Sequence, residues 1–325
     1  MKLNIVFLSF LIITLAGCKK HPANISPTCT CCKECVEISI PDLPTINYSS
    51  VQLKYPVFNP NNENEILFFY SDLSNNINQI IIEDIVAKST RVILNDFEII
   101  TQPTWNNNDW ILLNKKKANY QHEIWKVKSN GDSLTLLSSG GTNLYPAWVN
   151  NNSIIYSFSQ YAAFPYFIIN KNLISGFSDT ICNCNGKYLT VSNNNLIASA
   201  DISSFNVLVS NITSSLNFQN YTNNPFTSDL IIRNICWHPN GNEIYYIRNN
   251  GIYKMNILVK NEILIYNSCN SRRYNSISIS PSGNKIVAEK VEGYLLNNLL
   301  YNDSKIVFID TSGCNELEYV FINKR

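Results

Sequence analysis

The chain has 325 residues, and its 25 basic and 24 acidic side chains leave a formal net charge of +1. A chain with so little net charge and no basic stripe lacks the electrostatic footprint of a nucleic-acid-binding protein, so we expect no nucleic-acid partner. Only 15% of the residues are charged, and Asn, Ser and Thr supply much of the remaining polarity.

The first segment, residues 1–17, has the pattern of an export signal: Lys2, an apolar core over residues 5–15, and small residues before Cys18. The apolar core is too short to span a membrane.

Residues 15–18, Leu-Ala-Gly-Cys, resemble the lipobox of bacterial lipoproteins. The resemblance implies that diacylglycerol, with acyl chains such as palmitate, is attached to the Cys18 thiol. It also implies a lipid anchor in the cell membrane, for which we expect the outer membrane and a periplasmic or surface-facing position. The alternative is an ordinary cleaved signal in which Cys18 is incidental.

Residues 18–50 form the second segment, a tether rich in Cys and Pro. Four of its cysteines fall within seven residues, at Cys29, Cys31, Cys32 and Cys35. Such a cluster is able to bind a metal, but the partner Cys/His pair of a zinc finger is missing, and disulfides are the usual outcome in an exported chain. We therefore predict disulfides and no metal, and the pairing is left open. The alternating residues 36–40 are not required to close the domain that follows.

The third segment, residues 51–325, repeats one unit along its whole length. A corner residue recurs at Phe58, Trp105, Trp148, Trp237 and Ile279, with gaps of 47, 43, 89 and 42 residues. Because the third gap is twice a unit, its midpoint predicts a degenerate copy near residues 189–200. Each copy contains short apolar strands separated by turn residues, and no amphipathic helix lies between them. The pattern predicts an all-β fold, a six-bladed β-propeller of four-stranded antiparallel blades.

The repeat also resembles a known family. The corners Gln102-Pro-Thr-Trp and Tyr145-Pro-Ala-Trp, the turn Ser280-Pro-Ser-Gly and the strand that begins at Glu123 are similar to those of TolB-like propellers. They are also similar to the propeller blades of prolyl oligopeptidase-type peptidases. The resemblance covers roughly residues 51–325, nearly the whole mature chain, and implies a propeller lipoprotein of the bacterial cell envelope.

Candidate binding residues fall in two groups. Loops on one face of a propeller are a common recognition surface, and aromatic and basic side chains suit protein partners. These loops contain Lys115, Lys116, Lys117, Tyr120, Tyr161, Phe164, Tyr166, Tyr294 and Tyr301. The second group, at the expected mouth of the central axis, contains Tyr55, Gln102 and Tyr145. Alternatively, Phe164 and residues 295–300 only cap the blade ends, and the corner aromatics belong to the core.

No catalytic motif is present: there is no nucleophile elbow, metalloprotease helix or phosphate loop. We predict no catalytic residue, no metal and no cofactor, and a structural role for His238 in its turn. The favoured function is a membrane-tethered protein-binding or scaffold module whose partners are other envelope proteins or peptides. The alternatives are a carbohydrate or peptide sensor, and a degenerate propeller enzyme of the lyase or glycosidase type.

Overall fold

A computed structural model describes residues 46–48, 51–118, 121–161, 165–201, 206–212, 216–222, 231–268, 272–296, 299–313 and 316–321. All regular structure in these ranges is β-strand. None of the described residues forms a helix of the length and apolarity that crossing a bilayer requires. The export signal, Cys18 and residues 29–40 lie outside the described residues, so the predictions made for them stay predictions.

The strands fall into six consecutive sets of four, preceded by one short strand. The short strand is β1 (Ile46–Tyr48). Blades one and two contain β2 (Val51–Asn59), β3 (Asn62–Asp72), β4 (Ile77–Asp84), β5 (Ser89–Asn95), β6 (Thr104–Trp105), β7 (Trp110–Lys116), β8 (His122–Lys128) and β9 (Thr135–Ser138). Blades three and four contain β10 (Thr142–Asn150), β11 (Ser153–Ser159), β12 (Phe167–Asn172), β13 (Ser178–Cys182), β14 (Gly186–Val191), β15 (Leu196–Asp201), β16 (Val207–Asn211) and β17 (Gln219–Asn220). Blades five and six contain β18 (Ile232–Trp237), β19 (Glu243–Arg248), β20 (Gly251–Asn256), β21 (Asn261–Asn267), β22 (Arg272–Ile279), β23 (Lys285–Leu296), β24 (Leu299–Asp310) and β25 (Glu316–Tyr319).

Each set is an antiparallel sheet in which consecutive strands pair. Blades two and three share one eight-stranded sheet, but a single residue pair, Thr142 with His122, joins them. The described strands therefore form the six four-stranded blades of a β-propeller, as the repeat predicts. Blade four, the degenerate copy without Trp or Pro, has all four of its strands.

The core consists of the six interfaces between neighbouring blades. Each of six clusters of buried apolar side chains draws its members from two adjacent blades. Along β3, for example, Ile66 and Phe68 pack toward blade six, whereas Leu67 and Phe69 pack toward blade two. Both faces of the blade are covered, which explains the unbroken apolar runs in the sequence.

The ring closes by packing blade six against blade one. The Phe58 and Phe308 rings lie 6.0 Å apart between centroids. The Tyr319 hydroxyl donates a hydrogen bond to Glu83 across the same interface, and Ser304 Oγ donates to the Leu53 carbonyl at 2.9 Å. All four strands of blade six come from residues 272–319. From the N-terminal segment, β1 adds a fifth strand by pairing in parallel with β24 at Leu300, Tyr301 and Asn302, but the four-stranded blade is complete without it.

The two faces of the ring differ. The linkers between blades and the turns between second and third strands lie on one face, which we call the linker face. The turns between first and second strands lie on the opposite face, which we call the mouth face. On the linker face, residues 292–301, which the sequence suggested as a loop, are mostly strand: β23 and β24 stay paired up to Leu296 and Leu299. The nearly symmetric order of Tyr and Leu residues about a central Asn-Asn pair is typical of a hairpin.

Candidate functional site

The innermost strands of all six blades enclose a central cavity of about 550 Å³. Its wall extends to the turns of the mouth face, where it includes Pro60, Asn107, Asn193, Pro239 and Pro281. Toward the linker face, the wall ends near a layer of polar side chains around the propeller axis. The cavity is thus a funnel that opens on the mouth face.

Three tyrosines at equivalent positions of blades one, three and four form part of that layer, which we call the tyrosine layer. Tyr55, Tyr145 and Tyr188 each start a two-residue bulge in their strand, with φ values of 56°, 53° and 54°. A bulky residue with such a backbone costs about 1–3 kcal/mol and persists where the surrounding structure imposes it. The bulges turn the three side chains toward the axis, where Tyr55, Tyr145 and Tyr188 line the cavity.

The tyrosine layer is tightly hydrogen-bonded. The rings of Tyr145 and Tyr188 lie 4.7 Å apart between centroids, and their hydroxyls share a hydrogen bond. The Tyr55 hydroxyl donates to the Ile100 carbonyl at 2.9 Å. Burial raises the pKa of all three hydroxyls above the usual value near 10. The layer is therefore neutral at physiological pH and presents hydrogen-bonding groups without charge.

Gln102 crosses the axis beside the tyrosine layer. Its Nε2 donates to the Pro56 carbonyl of blade one and to the Ile277 carbonyl of blade six, both at 2.9 Å. Its Oε1 accepts a hydrogen bond from Asn234 Nδ2 of blade five at 2.7 Å. Asn234 in turn accepts from the Ile277 backbone N–H at 3.1 Å. The two side chains, which we call the crossbar, tie four blades together and close the inner end of the funnel.

A buried carboxylate lies near this end of the cavity but outside its wall. Glu289 is only 2% exposed. It accepts hydrogen bonds from the Tyr55 backbone N–H at 3.1 Å, Asn275 Nδ2 at 3.0 Å and Ser276 Oγ at 3.2 Å, and Ser304 Oγ lies 3.3 Å from it. These donors satisfy the hydrogen-bonding capacity of the buried carboxyl group. Because Tyr55 is in blade one and the other donors are in blade six, Glu289 stabilises the ring closure.

Aromatic rings, hydroxyl groups and amide groups supply most of the polar and aromatic surface of the cavity wall. Among the described residues that line it, there is no Asp or Glu, and the charged or titratable nitrogen groups are Arg233 and His238. Paired carboxylates, which glycoside hydrolysis requires, are thus not part of this wall. Within the described residues, no three His, Cys, Asp or Glu side chains are grouped in a way that could hold a metal ion.

The corner residues have structural partners. Trp148 and Trp237 each donate an indole hydrogen bond of 3.3 Å to the preceding blade, at the Thr104 and Thr190 carbonyls. His238 Nε2 lies 3.1 Å from the Gly283 carbonyl of the next blade, and Nδ1 accepts from the Asn240 backbone N–H at 3.2 Å. These contacts hold the rim of the funnel in one shape.

The structure brings Tyr55, Gln102 and Tyr145 together, as members of the layer at the inner end of the funnel. Arg233 and Tyr188 belong to the same region, together with Asn234, and sequence reasoning missed all three. Asn234 could have been found from the repeat, because it stands three residues before the corner Trp237, just as Tyr145 stands three residues before Trp148. Tyr188 lacks such a marker, since blade four has no corner Trp.

The predicted loop residues are more dispersed. Lys115 lies over the Phe97 ring at 4.7 Å, and Lys116 and Lys117 form ion pairs with Glu98 at 2.8 Å and Glu123 at 3.6 Å. Of the loop tyrosines, Tyr161 is 80% exposed and Tyr166 is buried, and Tyr294 pairs with Tyr301 across the β23–β24 hairpin. Tyr120 and Phe164 lie outside the described residues. The basic residues of the loop are therefore partly engaged within the chain.

The described cysteines do not line a metal or redox centre in the cavity. Cys182, the last residue of β13, forms a disulfide with Cys184. Cys236 is free and lies in the cavity wall, where burial raises the pKa of its thiol. A thiol with a raised pKa is a poor nucleophile at neutral pH.

Comparison with known proteins relates this chain to propellers by structure alone. No protein-family model and no curated protein sequence matches it. TolB from Acinetobacter baumannii superposes with a TM-score of 0.57 at 14% identity, over 83% of this chain and 63% of that one. A protein from Agrobacterium tumefaciens assigned as TolB gives 0.56 at 16% identity, over 74% and 88% of the two chains.

Enzymes share the architecture as well. The gluconolactonase XC5397 from Xanthomonas campestris gives a TM-score of 0.58 at 7% identity, over 74% of this chain and 84% of that one. This chain covers less than two thirds of the Acinetobacter TolB. At these identities the likeness shows the fold alone, a TolB-like β-propeller.

Proposed function

We propose that this chain is an exported, membrane-tethered lipoprotein whose propeller binds a protein or peptide partner of the bacterial cell envelope. In this proposal, a segment of the partner enters the funnel from the mouth face. The lipobox-like residues that precede Cys18 support the tether. The TolB-like fold supports the envelope assignment.

The observation that carries the proposal is the funnel itself. Its volume of about 550 Å³ lies within the range of roughly 300–1,000 Å³ that is typical of ligand pockets. Aromatic rings and amide groups line its wall, and the tyrosine layer and crossbar close its inner end. Such a wall stacks on apolar side chains and exchanges hydrogen bonds with a peptide backbone. The lack of Asp and Glu among the described wall residues favours binding over the acid–base chemistry of a lyase or glycosidase.

A capture experiment with matched variants tests the proposal. Asn107 and Asn193 are exposed residues at the rim of the funnel. In detergent-solubilised envelopes, we expect the tagged full chain to retain a discrete partner that the double variant Asn107→Arg, Asn193→Arg loses, because two long cations obstruct the opening. The control is Ser74→Arg, Gln160→Arg, two exposed residues on the linker face. Equal retention by both double variants would place partner binding elsewhere.

The tether is tested separately. Wild-type protein is expected to incorporate labelled fatty acid and to sediment with membranes, because the thiol of Cys18 carries the lipid. Cys18→Ala removes that thiol and is expected to do neither. Equal incorporation in both proteins contradicts the lipid anchor and leaves the cavity proposal to the capture experiment.

A further inference from the structure

Arg233 is a cationic side chain of the cavity wall that has no partner of opposite charge among the described residues. It is partly buried, and its Nε is out of contact with solvent and has no hydrogen-bond partner there. Burial, and then the like charge of Arg273, lower the pKa of its guanidinium, and no described carboxylate offsets them. Arginine nevertheless stays protonated in proteins. Because a charge that is withdrawn from water is normally paired, Arg233 has an unmet requirement for an anion.

A bulge in β18 positions Arg233 beside the axis. Ile232 pairs with Arg248 and Asn234 pairs with Ile247, so Arg233 has no partner in the strand ladder. Bulges of this kind re-aim a side chain and are frequent next to active sites. Because the next residue, Asn234, belongs to the crossbar, Arg233 lines the cavity at its inner end. A group that enters from the mouth face therefore reaches Arg233 only after it has passed the rim.

The tyrosine layer supplies a second donor at the same end. Tyr145 and Tyr188 share one hydrogen bond, which uses one of their two hydroxyl protons. The other proton has no acceptor among the described residues. Tyr188 and Arg233 are close enough to interact electrostatically. The inner end of the funnel thus offers a cation and a hydroxyl proton to a group that only accepts hydrogen bonds.

A carboxylate has the chemistry that this end of the funnel requires. An ionised carboxylate only accepts hydrogen bonds, and its two oxygens match the fork of a guanidinium. Its single negative charge also matches a single unpaired cation. Phosphate groups carry more charge and are typically recognised by clusters of arginines, whereas Arg233 is the one Arg among the described wall residues.

We propose that the partner segment presents a carboxylate, which pairs with the Arg233 guanidinium at the inner end of the funnel. This inference rests on the protein or peptide partner of the proposed function, and it names the chemical group that the funnel selects. Two parts of a peptide supply such a group, the C-terminus and the side chain of Asp or Glu. The experiment separates these two sources.

Equilibrium dialysis of the full lipidated chain in detergent tests the pairing. The probes are three pools of N-acetylated tripeptides: free acids without Asp or Glu, the same sequences as C-terminal amides, and amides that contain one Asp or Glu. Mass spectrometry measures the peptides that the protein retains. We expect wild type to retain one carboxylate pool at least about tenfold more than the uncharged amides, because hydrogen bonds to charged groups are the strong ones. The pool that is retained identifies the source.

Three arginine variants separate binding from folding. Arg233→Gln is expected to lower retention of the preferred pool at least about tenfold. Its melting temperature should equal or exceed that of wild type, because it removes an unpaired, partly buried charge. Arg273→Gln is the matched control: it removes an exposed charge outside the cavity wall, and we expect less than about a threefold change because exposed charges are screened. Arg233→Lys keeps the charge without the fork, so its retention should lie between the two, and it repeats the test if Arg233→Gln does not fold.

Every outcome decides between the two proposals or against the inference. Equal retention of the acid and amide pools, or equal retention by wild type and Arg233→Gln, overturns the pairing. Inorganic phosphate that displaces the peptides more effectively than acetate assigns the site to another oxyanion, which also overturns it. In the capture experiment of the proposed function, a partner that Arg233→Gln retains and the rim variant loses overturns the inference and leaves the proposed function standing. The absence of any captured partner overturns both.

Discussion

Gln102 provides the sharpest test of how the central cavity is closed, because one side chain makes three hydrogen bonds to three other blades. The substitution Gln102→Ala removes all three at once. It leaves the Pro56 and Ile277 carbonyls and the Asn234 amide without these partners. We expect the variant to fold, because the six apolar interfaces between blades remain.

The magnitude follows from the contacts. A hydrogen bond contributes about 1 kcal/mol to stability, so three predict a loss of about 3 kcal/mol in the free energy of unfolding. Water that enters from the cavity forms hydrogen bonds with some of the groups left without a partner. The loss in the free energy of unfolding is therefore expected to be at least about 1.5 kcal/mol. Asn234→Ala removes one of the same bonds. The two substitutions therefore share a coupling energy of about 1 kcal/mol in a double-mutant cycle.

Urea unfolding, followed by far-UV circular dichroism and tryptophan fluorescence, measures both quantities. Gln160→Ala is the control: Gln160 is exposed on the linker face, so its replacement is expected to stay within about 0.5 kcal/mol of wild type. If the stability of Gln102→Ala also stays within about 0.5 kcal/mol of wild type, or if the double-mutant cycle shows no coupling, the crossbar does not close the inner end of the funnel.

Three further predictions concern the core, the tyrosine layer and the closure. Trp105→Ala is expected to cost about 3–5 kcal/mol in stability, because Trp105 is 8% exposed and packs between blades one and two; a cost below 1 kcal/mol would contradict that packing. Because burial raises the pKa of the three layer tyrosines, the folded state keeps its protons above pH 10 while the unfolded state loses them. Stability is therefore present below about pH 10 and lost as the pH rises further. The absorbance at 295 nm that wild type has in excess of the variant Tyr55→Phe, Tyr145→Phe, Tyr188→Phe isolates the phenolates of the layer. This difference should appear only with unfolding, and a difference that appears near pH 10 in an intact fold would refute the reasoning. Deleting residues 19–44 should leave the melting temperature nearly unchanged, whereas deleting residues 316–325 removes β25 and should unfold the ring; the reverse order would show that an N-terminal strand closes it.

The propeller could be predicted from the sequence because its repeat is marked by large side chains. Trp105, Trp148 and Trp237 recur at the corner that packs each blade against its neighbour, and the spacing between them counts the blades. Blade four lacks this marker, yet its strand residues still alternate between two interfaces, so halving the long gap located it correctly. Local turn chemistry and apolar periodicity are enough for this level of description.

The interior of the ring is less accessible to such reasoning. Glu289 is tied to Tyr55 across 234 residues, and Gln102 to Ile277 across 175, so no local pattern reveals these contacts. Sequence reasoning did select Tyr55, Gln102 and Tyr145 as axial residues, because they stand one position before a recurring Pro. It placed them at a mouth, whereas all three lie at the inner end of the funnel, where bulges turn Tyr55 and Tyr145 toward the axis. The paired ends of β23 and β24 were missed, because a loop and a pair of strands can have the same residue composition.

The central claim is that a partner enters the funnel from the mouth face, and site-specific photo-crosslinking in intact cells tests it most directly. A photoreactive amino acid is placed singly at Asn107 or Asn193 on the rim, and at Ser74 or Gln160 on the linker face. We predict a discrete crosslinked adduct, of the same mass from both rim positions and distinct from any product at the linker-face positions. Adducts that form only at the linker face, or none at the rim when the protein is folded and anchored, would contradict the account.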